Sequence, residues 1–183
     1  SDSDRTDIQK EFGALQSEIT RVSQDTEFNN KSLLSGNNTF TFQIGANAGQ
    51  TLSVSISDMS ADSLKVGSTT LSLTASDTDI TTMQTAASAL TTVVGTTATL
   101  SDTDIENLAA LGVDTTSLTT ASTLSNVSGL SDLEAKIKTL ADTTSSATQL
   151  QETADTIKAS QAITALTKAV STVSGQRADL GAA

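Results

Sequence analysis

Apolar residues recur with heptad spacing near both ends of this 183-residue chain, and this repeat constrains the fold more than any other feature. Residues three and four positions apart share one face of an α-helix, and such a stripe is typical of a helix that packs lengthwise on another. Near the N-terminus the stripe consists of Ile8, Phe12, Leu15, Ile19 and Val22. The sequence predicts a helix of about 20 residues, roughly 30 Å long, with Asp4 as its N-cap.

A matching stripe lies near the C-terminus and consists of Ile163, Leu166, Val170, Val173 and Leu180. Because an amphipathic helix gains most of its stability from packing its apolar face, we expect the two terminal helices to pack on each other. Arg177 occupies one position of this helical seam. Its guanidinium group can reach solvent while its aliphatic part packs, or it can pair with an acidic residue of a neighbouring helix or subunit. We favour a pair within the same chain.

Two runs in the first third of the chain alternate apolar and polar residues, which is the pattern of a β-strand with one apolar face. The apolar positions are Phe40, Phe42 and Ile44 in the first run and Leu52, Val54 and Ile56 in the second. Residues 45–49, with the sequence GANAG, connect them and contain two glycines that can adopt a positive φ. The sequence predicts a β-hairpin, and we expect its apolar face to cover the helical seam.

The region from about residue 65 to residue 156 is rich in threonine and shows only short helical patterns. The predicted helices lie near residues 79–94, 102–111, 131–141 and 149–159, with at most a short strand at 70–74. The pentapeptide SDTDI occurs at 76–80 and again at 101–105, and each copy is typical of a serine-capped helix start. We interpret the paired aspartates as helix caps, because a calcium loop would need further oxygen ligands, a turn glycine and a closing glutamate.

These elements predict an α+β fold that is mainly helical. Residues 1–64 contribute a long helix and the hairpin, residues 65–156 form a small, mostly helical insertion, and residues 157–183 begin the C-terminal helix. The two terminal segments are expected to build an elongated helical rod with the hairpin against it.

Charge and composition argue against several classes of function. The chain has 10 basic and 21 acidic residues, a net charge of −11, which disfavours binding to nucleic acid or to an anionic membrane surface. It has no histidine, which is the commonest general base and the commonest metal ligand. It also has no cysteine, so thiolate chemistry is missing. Glu152, Asp155 and Lys158 follow helical spacing and are interpreted as a solvated face. We therefore predict no catalytic, cofactor-binding or metal-binding residue.

Three segments of the chain resemble bacterial flagellins. SDSDRTDIQKEFGALQSEITRVSQDTEFNNKSLLSG, residues 1–36, resembles the second long helix of the flagellin D1 domain and the turn after it. FQIGANAGQTLSVSISDMSA, residues 42–61, resembles the hairpin of that domain, and ALTKAVSTVSGQRADLGAA, residues 165–183, resembles the start of its C-terminal helix. Residues 66–156 resemble nothing specific.

The resemblance implies a structural subunit of the flagellar filament, extracellular and serving swimming motility, rather than an enzyme. Residues 1–64 and 157–183 would belong to D1, and residues 65–156 would form the variable D2 domain. Other flagellin subunits would be the partners, with no cofactor. The first D1 helix and the terminal D0 helices of the family have no counterpart in the sequence. We therefore expect a monomeric outer fragment that cannot assemble alone.

Glu11 lies in the stretch Ile8–Glu11, IQKE, which is similar to a stretch of flagellins recognised by the innate receptor TLR5. It can equally be an exposed acidic residue beside the seam. Two other functions stay open, a flagellin-like hook–filament junction protein and a surface adhesin. An enzymatic insertion would need an HExxH-type zinc motif, which a chain without histidine lacks.

Overall fold

The computed structural model describes residues 2–68 and 71–182. The chain divides into two compact units, Ser1–Ser72 with Ala162–Ala183 as the first and Leu73–Gln161 as the second. The described residues form five α-helices and two small antiparallel sheets. This confirms the predicted α+β, mainly helical fold class.

The first unit begins with helix α1, Asp2–Asp25. Its start shows that the predicted N-cap is wrong, because Asp4 lies inside the helix. Two very short strands follow, β1 (Glu27–Phe28) and β2 (Lys31–Ser32), which pair antiparallel. Asn29 and Asn30, between them, have φ angles of 50° and 61°. A two-residue turn with two positive φ angles is the type I′ turn that matches strand twist, and asparagine tolerates it better than most residues.

The predicted hairpin is present as β3 (Asn38–Gln43) and β4 (Thr51–Ile56), with Asn38 opposite Ile56 and Gln43 opposite Thr51. Ile44 lies outside the strand and is exposed, so its assignment to the apolar face is wrong. Side-chain hydrogen bonds stabilise the connection between the two strands. The Gln43 amide nitrogen donates to the carbonyl oxygens of Gly45 and Asn47, at 2.8 Å each. These bonds lie just beyond the last backbone bond of the hairpin, which the Ile44 N–H donates to the Gln50 carbonyl oxygen at 2.8 Å.

The second unit contains α2 (Asp77–Leu90), α3 (Asp102–Ala110), a 3₁₀ turn (Leu124–Asn126) and α4 (Leu130–Ala141), followed by the first part of α5 (Ala147–Ala182). All four helices predicted for the middle region are present, the first three with ends shifted by a few residues and the fourth as the first part of the longer α5. Residues 71–74 form no strand, and Thr70 lies outside the described residues. The buried residues of α2, α3, α4 and α5 make one core, with Leu90, Leu108, Ile137, Leu140 and Ile157 fully enclosed.

Both SDTDI sequences begin helices as predicted. The Ser76 hydroxyl accepts a hydrogen bond from the backbone N–H of Asp79, and the Asp79 carboxylate accepts one from the backbone N–H of Ser76. Ser101 and Asp104 make the same reciprocal pair at the start of α3. Each capping box satisfies two backbone donors that a helix start leaves unpaired.

The sequence predicts one helix that ends near residue 159 and a separate C-terminal helix that begins near residue 157. This prediction is wrong, because both are parts of the single helix α5. It continues for 36 residues without interruption. The apolar pattern changes there because the helix changes neighbours: residues up to Gln161 belong to the second unit, and Ala162 and later residues to the first. With no proline anywhere in the chain, nothing stops the helix at that change.

The interpretation of Asp155 and Lys158 as a solvated face is wrong. Asp155 is buried, and its carboxylate accepts hydrogen bonds from the backbone N–H of Ala75 at 2.7 Å and from the Gln151 side chain at 2.9 Å. The Lys158 ammonium group is largely buried and lies 3.1 Å from the Asp79 carboxylate. Both side chains therefore tie α5 to the segment that begins α2.

The lowered pKa of Asp79 predicts that the free energy of unfolding of the second unit depends on pH. Burial raises the pKa of Asp79, but hydrogen bonds from Ser76 and the Lys158 ammonium group outweigh it, and the net pKa is lowered. A carboxylate with a lowered folded-state pKa stabilises the protein above its unfolded-state pKa, about 3.9, and loses this contribution as the pH falls through the folded-state value. Asp79→Asn should therefore reduce the free energy of unfolding by about 1 kcal/mol at pH 7, and the difference should shrink below about pH 4.

Thermal unfolding of both proteins at pH 7, 4, 3 and 2 measures this effect. Asp104→Asn is the matched control, because Asp104 occupies the same position in its own capping box but forms no ion pair among the described residues. A stability difference between wild type and Asp79→Asn that stays constant down to pH 2 would contradict the linkage.

Candidate functional site

The predicted helical seam is mostly open to solvent in this structure. On α1, Ile8 and Leu15 are 55% and 61% exposed, and on α5, Ile163 and Val170 are 66% and 65% exposed. Among the ten predicted positions, Phe12 is buried and Ile19 and Leu166 are half-buried. The seven exposed residues, called the apolar stripe below, are Ile8, Leu15, Val22, Ile163, Val170, Val173 and Leu180. The expected packing of the two terminal helices along these positions is therefore not made within the chain.

A neighbouring face of α1 is covered instead. Phe12, Gln16 and Ser23 are buried, and Gln16 and Ser23 follow Leu15 and Val22 by one residue, about 100° around the helix. The Gln16 amide nitrogen donates to the carbonyl oxygens of Val66 and Leu71, at 2.7 and 3.0 Å. Val66 and Leu71 thus contact this neighbouring face, whereas the face predicted to pack on the C-terminal helix stays largely exposed.

Sequence reasoning missed this second face because its residues are polar. A glutamine or serine in a surface helix is normally read as solvent-facing. A weak signal existed, since Gln9, Gln16 and Ser23 recur every seven residues in parallel with the apolar stripe. Gln9 also faces the covering segment, because its side-chain oxygen accepts a hydrogen bond from the Ser72 hydroxyl at 3.3 Å.

An open apolar groove of about 640 Å³ lies between the second half of α1 and the C-terminal half of α5. Val22, Val170, Val173 and Leu180 of the apolar stripe line it, together with the buried Met59. A groove of this composition exposes apolar surface that water solvates poorly. An open apolar surface of this kind is typical of a contact site for another element or molecule.

A second concavity, of about 840 Å³, lies beneath the β3–β4 hairpin. Its lining includes Phe28, Phe40, Phe42, Leu52, Val54 and Leu180. Leu180 lines this concavity with the hairpin but is itself 39% exposed, and Ile8 and Leu15 lie outside the lining. The expected cover of the seam by the hairpin is therefore not made within the described residues.

Two charged residues singled out from the sequence lie on the surface. Glu11 is exposed on α1. Arg177 is exposed and lines the groove between α1 and α5. The ion pair favoured for Arg177 is not made, because no acidic residue of the described chain lies within ion-pair distance of its guanidinium group.

Within the described residues, no three acidic side chains come close enough together to hold a metal ion. None of the helices in that part of the chain combines the length and the apolar character needed to cross a membrane.

Residues 1–39 match the family model described as the bacterial flagellin N-terminal helical region. A B-type flagellin of Pseudomonas aeruginosa is 43% identical over 65 residues, which cover 35% of this chain and 13% of the relative. A flagellin of Bacillus subtilis is 45% identical over 74 residues, covering 34% of this chain and 24% of the relative. A flagellin of Salmonella muenchen is 41% identical over 64 residues, covering 35% and 13%.

The matched family model covers α1, β1 and β2 and ends inside β3, so it includes the helix that carries half of the predicted seam. The chain aligns with only 13% to 24% of the length of these three relatives. The family model and the relatives from three genera agree that about a third of this chain, including its N-terminal 39 residues, is similar to bacterial flagellins.

Proposed function

We propose that this chain is the outer, D1-plus-D2 part of a structural subunit of the bacterial flagellar filament, and that it serves swimming motility. The apolar stripe is the observation that carries the proposal. Four large aliphatic side chains on two helices are more than half exposed with heptad spacing, which is the pattern of a helix surface that packs on another helix. The match of residues 1–39 to the flagellin family model, which includes the α1 half of the stripe, supports the assignment of that surface to a filament.

In this proposal residues 1–64 and 157–183 act as D1 and residues 65–156 act as the variable D2. The compact units of the structure divide at slightly different positions, after Ser72 and after Gln161. Other flagellin subunits are the partners, and the protein works outside the cell as part of the flagellum. The chain has a mechanical role and is not an enzyme, which fits its lack of histidine and cysteine. The chain on its own is proposed to be monomeric.

Filaments sheared from the bacterium that makes the protein provide the direct test. Trypsin should release residues 32–65 as one peptide, because no lysine or arginine lies between Lys31 and Lys65. We expect this peptide among the dominant species of the filament. If it is found only in trace amounts or only at the filament base, the protein is a junction protein or an adhesin instead.

Leu15 gives a test at the level of a single residue. Leu15→Asp in the full-length subunit places a charge in the apolar stripe and should abolish filament formation, because an unpaired charge in an apolar contact is costly. Ser17→Asp is the matched control, since Ser17 is exposed on the same helix outside the stripe. Electron microscopy of cells that produce each variant gives the readout. Normal filaments from Leu15→Asp would contradict a role of the stripe in assembly.

A second proposal concerns Glu11, whose exposure on α1 leaves it accessible to a protein partner. We propose that Glu11 contributes to binding of the innate receptor TLR5, as the resemblance of Ile8–Glu11 implies. Replacement of Glu11 by alanine should then weaken receptor signalling by the full-length protein in reporter cells. Equal signalling by Glu11→Ala and wild type would leave Glu11 as a solvated surface residue.

A further inference from the structure

The β3–β4 hairpin has features that make it unstable by itself. It is an isolated two-stranded sheet, and such hairpins are marginal in water unless a third strand or a packed helix supports them. Its apolar face is only partly covered, with Phe42 47% exposed. Residues 32–57 contain no charged residue and no proline, which are the usual means of protecting the edges of a sheet. The hairpin therefore needs a contact that holds it in place.

One side chain of α5 makes such a contact. The Gln176 amide nitrogen donates to the carbonyl oxygen of Ser55 at 3.0 Å, and the Gln176 side-chain oxygen accepts from the backbone N–H of Ser57 at 3.1 Å. These two backbone groups flank Ile56, the buried last residue of β4. In an extended strand the carbonyl of one residue and the N–H two residues later point to the same side. A neighbouring parallel strand would pair with these same groups.

We propose that Gln176 acts as a surrogate third strand, which seats the hairpin on α5 and closes the outer edge of β4 where the strand ends. Both hydrogen bonds between α5 and the hairpin within the described residues come from this side chain. A backbone–backbone hydrogen bond near the end of the hairpin joins the Met59 N–H to the Leu34 carbonyl oxygen at 2.9 Å, but it lies beyond β4. Gln176 is therefore a positioning residue, and it couples the hairpin to the C-terminal half of α5.

The proposal goes beyond the filament role and does not depend on it, because it concerns the isolated chain. Amide hydrogen exchange of the 183-residue protein tests it with Gln176→Met, which keeps the length of the side chain and removes both hydrogen bonds. We expect the Ser57 amide to exchange about five to ten times faster, since one hydrogen bond of this kind is worth roughly 1 kcal/mol. The amides of β3 and β4 should also exchange faster, because the hairpin loses its support.

Two further variants sharpen the result. Gln176→Glu keeps an acceptor for the Ser57 N–H and loses the donor to Ser55, so it should restore part of the protection at Ser57. Gln161→Met is the matched control: Gln161 lies on the same helix and donates to the Ala110 carbonyl oxygen in the second unit. It should leave the hairpin unchanged, and the amides of residues 73–161 should be unaffected in Gln176→Met, which shows that this variant is folded.

Unchanged exchange of the hairpin in Gln176→Met would overturn the proposal. Faster exchange confined to the Ser57 amide would overturn it as well, because it would show a local bond that does not seat the strands. An equal effect of Gln161→Met would assign the change to a general loss of helix stability. Faster exchange across β3, β4 and Ser57, absent from the control, is the result that supports a surrogate strand.

Discussion

Leu108→Ala is expected to lower the free energy of unfolding of the second unit by about 2–5 kcal/mol. Leu108 is fully enclosed in the core formed by α2, α3, α4 and α5. The substitution removes three carbon atoms and leaves a cavity that the surrounding helices can fill only in part. Urea denaturation followed by circular dichroism measures the loss, and amide exchange assigns it to residues 73–161.

Leu15→Ala is the matched control because it makes the same chemical change at an exposed position. Surface substitutions of this kind usually change stability by less than about 0.5 kcal/mol. A loss of several kcal/mol in Leu15→Ala would show that Leu15 is packed in solution, and the apolar stripe would then not be an open surface. A loss below 1 kcal/mol in Leu108→Ala would mean that the second unit does not have the tight core described above.

The parts of the fold that depend on short-range chemistry could be predicted from the sequence. A capping box needs only a serine and an acidic residue three positions later, and both SDTDI copies form one. The β3–β4 hairpin follows from strict alternation around a glycine-containing connection. Family resemblance came from the same kind of local pattern, and the match over residues 1–39 agrees with the resemblance at the N-terminal end.

The parts that depend on long-range packing could not be predicted. Heptad spacing shows which positions of α1 can pack, but not which element packs there. The segment that covers α1 has no repeat of its own and uses backbone carbonyls, such as that of Val66, to receive the Gln16 side chain. Asp155 and Lys158 were misread for a related reason, since helical spacing alone does not distinguish a carboxylate in water from one that accepts a hydrogen bond from a distant backbone N–H.

The candidate site shows the same division. Its residues were singled out as a packed helical seam, and the exposure of seven of them within the chain needed the structure. Gln176 was not singled out at all, because a glutamine on a helix carries no pattern that indicates a strand edge. A side-chain amide that bonds a strand edge in place of a neighbouring strand can be recognised only when the positions of the helix and the strand are both known.

Gln16→Ala is expected to lower the free energy of unfolding of the first unit by about 2–3 kcal/mol, since each buried group left unpaired costs roughly 1–3 kcal/mol. The Gln16 amide nitrogen donates to two buried residues, Val66 and Leu71. Alanine removes both bonds at once. Water that enters the adjoining polar cavity of about 300 Å³ can hydrate part of the freed carbonyl groups, which keeps the expected loss below the sum for two isolated groups.

Gln16→Glu should be more harmful at neutral pH than Gln16→Ala, although it is closer to glutamine in size. A carboxylate offers no donor to either carbonyl oxygen and introduces a buried charge. Because burial favours the neutral form, the introduced acid should have a raised pKa, and its cost should fall as the pH drops and the protonated group can donate one hydrogen bond. Gln24→Ala, at an exposed position of the same helix, should be nearly neutral.

Denaturation of the three variants at pH 7 and pH 4 separates packing from hydrogen bonding at this position. If Gln16 acted only by filling space, Gln16→Glu would be less harmful than Gln16→Ala at both pH values. The opposite order at pH 7, with recovery of Gln16→Glu at pH 4, is expected if two donated hydrogen bonds hold the segment against α1. These bonds decide which face of α1 is covered, and Ile8, Leu15 and Val22 lie outside that face and are exposed.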